Sequence, residues 1–136
     1  MSGQGPYWGQ LGWFSKFHHE KLPSAIDRYL KEVRRTIGVI DSHLARQGTP
    51  YLVGERATYA DIMFLPWIRV LSVAVPEFTK SQWEDMTYYR AWVDRMYARP
   101  AIVKALKVWD ADMHAKIEAE KPTGPANEQG EDVPRS

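Results

Sequence analysis

Apolar side chains recur at steps of three and four along most of this chain, and no stretch alternates at the period of a strand. The clearest stripe is Ile26, Leu30, Val33, Ile37, Ile40 and Leu44. Arg28, Lys31, Arg34 and Arg35 fall on the other faces, so the spacing predicts an amphipathic helix from Ser24 to about Arg46. Ser24 is its expected cap, Asp27 suits the positive end of the helix dipole, and Gly48 with Pro50 ends it. From Ile62 to Val75 the chain is apolar nearly all round. That predicts a buried central helix, bent by Pro66 and stopped near Pro76. Trp83, Met86, Tyr89, Trp92, Val93 and Met96 mark a further helix over Ser81 to Ala98. Pro100 opens another, with Ile102, Val103, Leu106 and Trp109 inward, which continues to about Lys121.

The chain's first stretch, SGQGPYWGQLGWFSKF, reads two ways. Its glycines and proline argue for a loop. Yet Tyr7, Leu11 and Phe14 stand at helical spacing, as they would in a helix that another element approaches closely. His18 to Pro23 is a polar connector, and residues 121–136 are polar, rich in Pro and Gly, and expected to be a disordered tail. The pattern as a whole predicts an all-α fold: one bundle of about five to six helices over residues 1–120.

Composition removes several chemistries. At 136 residues the chain is long enough for one hydrophobic core without staples. A formal net charge of +1 gives no field to hold nucleic acid or acidic lipid. There is no Cys, hence no thiolate nucleophile, disulfide or cysteine metal site. Four His occur without HxxxH or HExxH spacing, so no metal site is expected. No Gly-rich phosphate loop follows a strand, and no serine sits in a nucleophile elbow, so no catalytic residue is assigned. Nothing approaches the roughly 18 apolar residues of a membrane span. No secretory leader is visible either, which makes the cytoplasm the expected location.

Two constellations stand out. Thr58 is followed three residues later by Asp61, just before an apolar run. A carboxylate opening a buried helix could be catalytic, but this position is that of a capping box, in which Asp61 returns to the Thr58 N–H. The second is the aromatic group Tyr7, Trp8, Trp13 and Phe14 among Gly3, Gly5, Gly9 and Gly12. Large flat rings beside small residues either pack helices or wall a groove for hydrophobic ligands, and the residues alone leave both open.

The stretch YLVGERATYADIMFLPW resembles glutathione transferases. Tyr51 to Gly54 match that family's apolar turn, and Thr58 to Asp61 match the box that opens the central helix of its C-terminal domain. Gly3-Gln4-Gly5-Pro6 with Gly9-Gln10, then Pro23 to Tyr29, and finally Arg99-Pro100-Ala101, are similar to one branch of it. That branch holds the yeast nitrogen-regulatory prion protein, its fungal transferase relatives and bacterial disulfide-bond oxidoreductases.

The resemblance covers about residues 2 to 110. It implies a C-terminal helical domain whose first helix is truncated and whose thioredoxin-like neighbour, the holder of glutathione, is absent. Glutathione would be the co-substrate where that neighbour is present, no cofactor would be held by this chain alone, and the isolated chain would be inactive. The family's habits imply a homodimer in which Arg28 of the AIDRY stretch reaches glutathione across the two-fold, unless it is simply a solvated helix arginine. They also place Tyr7, Trp8, Trp13 and Phe14, with Trp67, at the wall of a pocket for a hydrophobic electrophile or a disulfide. The alternative is a non-catalytic helical module for protein interaction.

Overall fold

A glycine-lined face decides how the first helix packs. In the computed structural model, which describes residues 3–75 and 83–119, α1 spans Gly5–Lys16 with Pro6 in its first turn. Gly5, Gly9 and Gly12 fall on one side of it. A Cβ built at Gly5 would lie 3.4 Å from the Trp67 ring, one at Gly9 3.6 Å from it, and one at Gly12 3.8 Å from the Ala74 methyl. The glycines are thus the seat of a neighbouring helix, and packing overrides their loop propensity.

Helix α2 spans Pro23–Gln47 and buries Val33, Ile37, Ile40 and Leu44, the predicted stripe. Its start differs from expectation. Leu22 is the N-cap and Pro23 lies in the first turn, so Ser24 is already inside the helix and caps nothing. Proline needs no N–H partner there and its fixed φ suits the first turn. Gly48, at φ 64°, closes the other end in the left-handed conformation.

The expected central helix is two helices. α3 is the single turn Tyr59–Ile62, and α4 is Leu65–Ala74. Pro66 does not bend a helix interior; it sits in the first turn of α4, where its missing N–H costs nothing. Leu65, Ile68 and Leu71 are buried, whereas Ile62, Val70 and Val73 stay exposed, so the all-round apolar character is not all-round burial. The predicted stop at Pro76 and the helix start at Ser81 lie outside the described residues.

Helix α5 spans Thr87–Tyr97, beginning later than expected, after a turn at Trp83–Met86. Tyr89, Trp92 and Met96 are its buried face. Met86, its N-cap, has no side chain able to cap. Asp41 of α2 does so instead, accepting the Tyr89 N–H at 2.8 Å. Arg34 of α2 pairs with Asp85 just ahead of α5 at 2.7 Å. That pairing holds the Asp85 carboxyl below its ordinary range and raises the Arg34 guanidinium.

Asp61 is the knot of this unit. It is fully buried, and the predicted capping box with Thr58 is formed, the Thr58 N–H reaching Asp61 Oδ2 at 2.9 Å. Oδ1 accepts the Leu52 N–H at 3.0 Å and the Trp92 indole N–H at 2.8 Å. One carboxylate therefore ties the Tyr51–Gly54 turn, α3 and α5 together. His43 Nε2 lies 2.8 Å from the Leu52 carbonyl and holds the same turn from α2.

The chain divides after Arg99 into two compact units. The second holds α6, Pro100–Ala119. Within α6, Ile102, Leu106 and Trp109 are half-buried, while Val103, expected inward, is exposed. The expected tail, 121–136, lies outside the described residues. No strand occurs among the described residues; the nearest thing is an isolated bridge between Tyr51 and Gly54.

Candidate ligand-binding face

Tyr7 and Phe14 are seven residues apart, two turns, and so share a face of α1 opposite its glycines. That face meets Tyr29, in the second turn of α2. Phe14 stacks on Tyr29 with centroids 5.6 Å apart and planes 16° from parallel. Tyr7 lies 6.4 Å from the same ring. Trp13 meets Phe14 edge-on at 5.0 Å and is 46% exposed, so the cluster opens to solvent on that side.

The connector after α1 adds to it. The His18 ring lies 4.8 Å from Trp13 and 5.3 Å from Phe14, and His19 stacks on His18 at 4.6 Å. His18 Nδ1 lies 2.7 Å from the Glu20 carbonyl oxygen, which fixes the ring's orientation. In the sequence these two histidines belong to a polar connector. Their adjacency to an aromatic stretch was the available signal, but only the fold brings Tyr29 and His18 to the same rings.

Arg28 precedes Tyr29 on α2. It is exposed and makes no ion pair among the described residues. Its neighbours are committed elsewhere: Asp27 pairs with Lys31 at 2.7 Å and Glu32 with Arg35 at 2.8 Å. Arg28 thus has its donors available, adjacent in sequence to Tyr29 of the ring cluster.

Two expected wall residues lie elsewhere, for reasons of helical geometry. Trp8 is 2% exposed and its indole N–H donates to Thr36 Oγ1 at 3.0 Å. It packs between α1 and α2. Trp67 is half-buried against Gly5 and Gly9, on the face of α1 opposite Tyr7 and Phe14. What the fold assembles is Tyr7, Trp13, Phe14, Tyr29 and His18. No group of three His, Cys, Asp or Glu able to hold a metal occurs among the described residues. No helix among them is long and apolar enough to cross a membrane.

Residues 6–100 match the model of the glutathione S-transferase C-terminal domain. The chain belongs to that family. Over 111 residues it is 44% identical to the glutathione S-transferase-like protein tpcF of Aspergillus fumigatus, covering 77% of this chain and 49% of that protein. It is 32% identical to the protein URE2 of Eremothecium gossypii, covering 78% of this chain and 37% of the relative. Among solved structures, the transferase URE2P6 of Phanerochaete chrysosporium, determined with oxidized glutathione, superposes with a TM-score of 0.66 at 41% identity. That match covers 85% of this chain and 49% of that one. The family and its all-α domain are therefore those implied by the Thr58–Asp61 box. The chain spans about half the length of the curated relatives it matches most strongly.

Proposed function

We propose that this helical domain forms the acceptor side of a glutathione-dependent transferase, working with a thioredoxin-like half that holds the tripeptide. The observation that carries the reading is the open ring cluster of Tyr7, Trp13, Phe14 and Tyr29 beside the available Arg28. It sits in a domain whose structural neighbour was solved with oxidized glutathione. The reaction is attack of the glutathione thiolate on an electrophilic carbon or on a disulfide sulfur. This chain has no cysteine, and in this reading the thiol is the co-substrate's own. The rings of this face hold the apolar acceptor near that thiolate, a proximity effect rather than an acid or base one. Arg28 takes a glutathione carboxylate through its guanidinium fork, across the two-fold of a homodimer. The cytoplasm, where glutathione is kept reduced, is the compartment such chemistry needs.

A direct test uses the chain itself. An aromatic S-conjugate of glutathione is expected to quench the fluorescence of Trp13, and Trp13→Phe is expected to abolish that part of the signal. Quenching that survives in Trp13→Phe and in Phe14→Ala rejects this face as the acceptor site.

One observation favours a second reading, a non-catalytic interaction module. Phe17, Val39, Val70 and Val73 are exposed, Phe17 by 76%. Such apolar surface suits a protein partner. Light scattering with and without the other half of a relative separates the readings. A monomer indifferent to that half counts against both.

A further inference from the structure

The turn that follows α2 and the end of α5 meet at Tyr51 and Arg99, 48 residues apart in the chain. The Arg99 guanidinium carbon stands 6.0 Å from the Tyr51 ring centroid, and its Nη1 3.5 Å from the phenol oxygen. Arg95 stands 5.8 Å from the same centroid and donates to the Pro50 carbonyl. Beside them Tyr51, Glu55, Arg56, Ala57, Thr58 and Arg99 line an open recess of about 580 Å³. This recess shares no residue with the ring cluster of α1 and α2.

Its charge is unspent. Arg56 makes no hydrogen bond or ion pair among the described residues, and Arg99 makes only the long contact with Tyr51. Glu55 is the one acid among the lining residues and pairs with neither arginine among the described residues. Asp61 lies behind Thr58, but its oxygens are turned inward, occupied by Leu52, Thr58 and Trp92. Two guanidiniums line the recess against one carboxylate, and Arg95, over the Tyr51 ring, adds a third cation nearby. Guanidinium forks match tetrahedral oxyanions, and a phosphate monoester carries close to two negative charges near neutral pH. The recess is also roomier than a bare oxyanion needs, and the Tyr51 ring and Ala57 give it an apolar side.

We propose that this recess binds a small organic phosphate monoester. Arg56 and Arg99 donate to the phosphoryl oxygens, the Tyr51 hydroxyl supplies a further donor, and the organic group lies toward Ala57.

The test is a titration of the intact chain, followed by amide shifts in NMR at low salt. The probes are phenyl phosphate, inorganic phosphate and the monoanionic diester methyl phenyl phosphate. The expected result is saturable movement confined to Tyr51–Thr58 and the residues around Arg99, with phenyl phosphate the tightest of the three. Arg56→Gln and Arg99→Gln are each expected to weaken it roughly tenfold, the usual scale of one charge-assisted contact. Arg56 makes no hydrogen bond or ion pair among the described residues, so Arg56→Gln keeps the test sound even where Arg99→Gln loosens the Tyr51 turn. Diffuse, non-saturating shifts, or affinity unchanged in Arg56→Gln, overturn the site. Inorganic phosphate binding as tightly as the ester overturns the organic part of the assignment, and the diester doing so overturns the charge matching.

Discussion

Asp61 shows what a single side chain can hold. Its carboxylate, fully buried, accepts the N–H groups of Leu52, Thr58 and Trp92. Removing it leaves three buried donors unmatched. Asp61→Ala is therefore expected to cost on the order of 3 kcal/mol, lowering Tm by roughly 12 °C or more in a thermal melt followed by circular dichroism. A loss below about 1 kcal/mol would mean that the hub is replaceable. Half of this knot was legible in the chain, because a capping box is local and its residues lie three apart. The Trp92 bond was not, since it spans 31 positions and an indole N–H carries no sequence signal of its partner. Tyr89 and Tyr97 make a second residue-scale case. Both hydroxyls are buried without a partner, and burial raises both phenols, Tyr97 to about 12. The sign follows directly. A phenol whose folded value stands above its unfolded value of about 10 supports the fold fully below that pH, and the support is lost as pH rises above it. Stability is thus expected to hold to about pH 10 and then fall, with the absorbance of these two phenolates near 295 nm appearing only as the chain unfolds. Their ionisation before unfolding would contradict the burial.

Among the elements, α1 carries the sharpest consequence. A methyl at Gly9 would rest at 3.6 Å from the Trp67 ring, an ordinary contact, on a helix that glycine weakens. Gly9→Ala is expected to stabilise by about 0.5–1 kcal/mol, whereas Gly9→Leu drives Trp67 from its seat and destabilises by about 1–3 kcal/mol. Denaturant melts of the two variants decide it, and two changes of the same sign would show that Trp67 does not rest there. Asp41 tests the junction of α2 with α5. Because it caps α5 from another helix, Asp41→Ala is expected to cost about 1 kcal/mol, within the range of a lost N-cap. Helix α2 was readable end to end because its stripe is long and its terminal Gly48 is a strong stop. The break between α3 and α4 was hidden by an apolar run that fits one helix as well as two. The late start of α5 was hidden because its cap comes from Asp41, in a different element.

At the scale of the molecule, the proposed function needs two substrate groups to meet at a face to which this chain contributes. The family was legible because its signature is the local turn and box at Tyr51–Asp61 together with short stretches in fixed order. The composition of the acceptor face was not, since Tyr29 and His18 join it only through the pairing of α1 with α2. The proposed division of labour makes separable demands on the two ends of the site. Joined to the half of the Aspergillus fumigatus protein that it does not match, the chain is expected to conjugate glutathione to an aromatic electrophile, while by itself it leaves the solution rate unchanged. Within that fusion, Phe14→Ala removes a ring from the acceptor wall and raises KM for the electrophile roughly tenfold, leaving KM for glutathione in place. Arg28→Gln removes a carboxylate fork and does the reverse. Both residues stand outside the buried core, so a general loss of folding would depress kcat in each variant alike rather than split the two constants. Turnover by the lone chain, or both variants moving the same KM, would show that acceptor and tripeptide are not held by the opposite ends of this face.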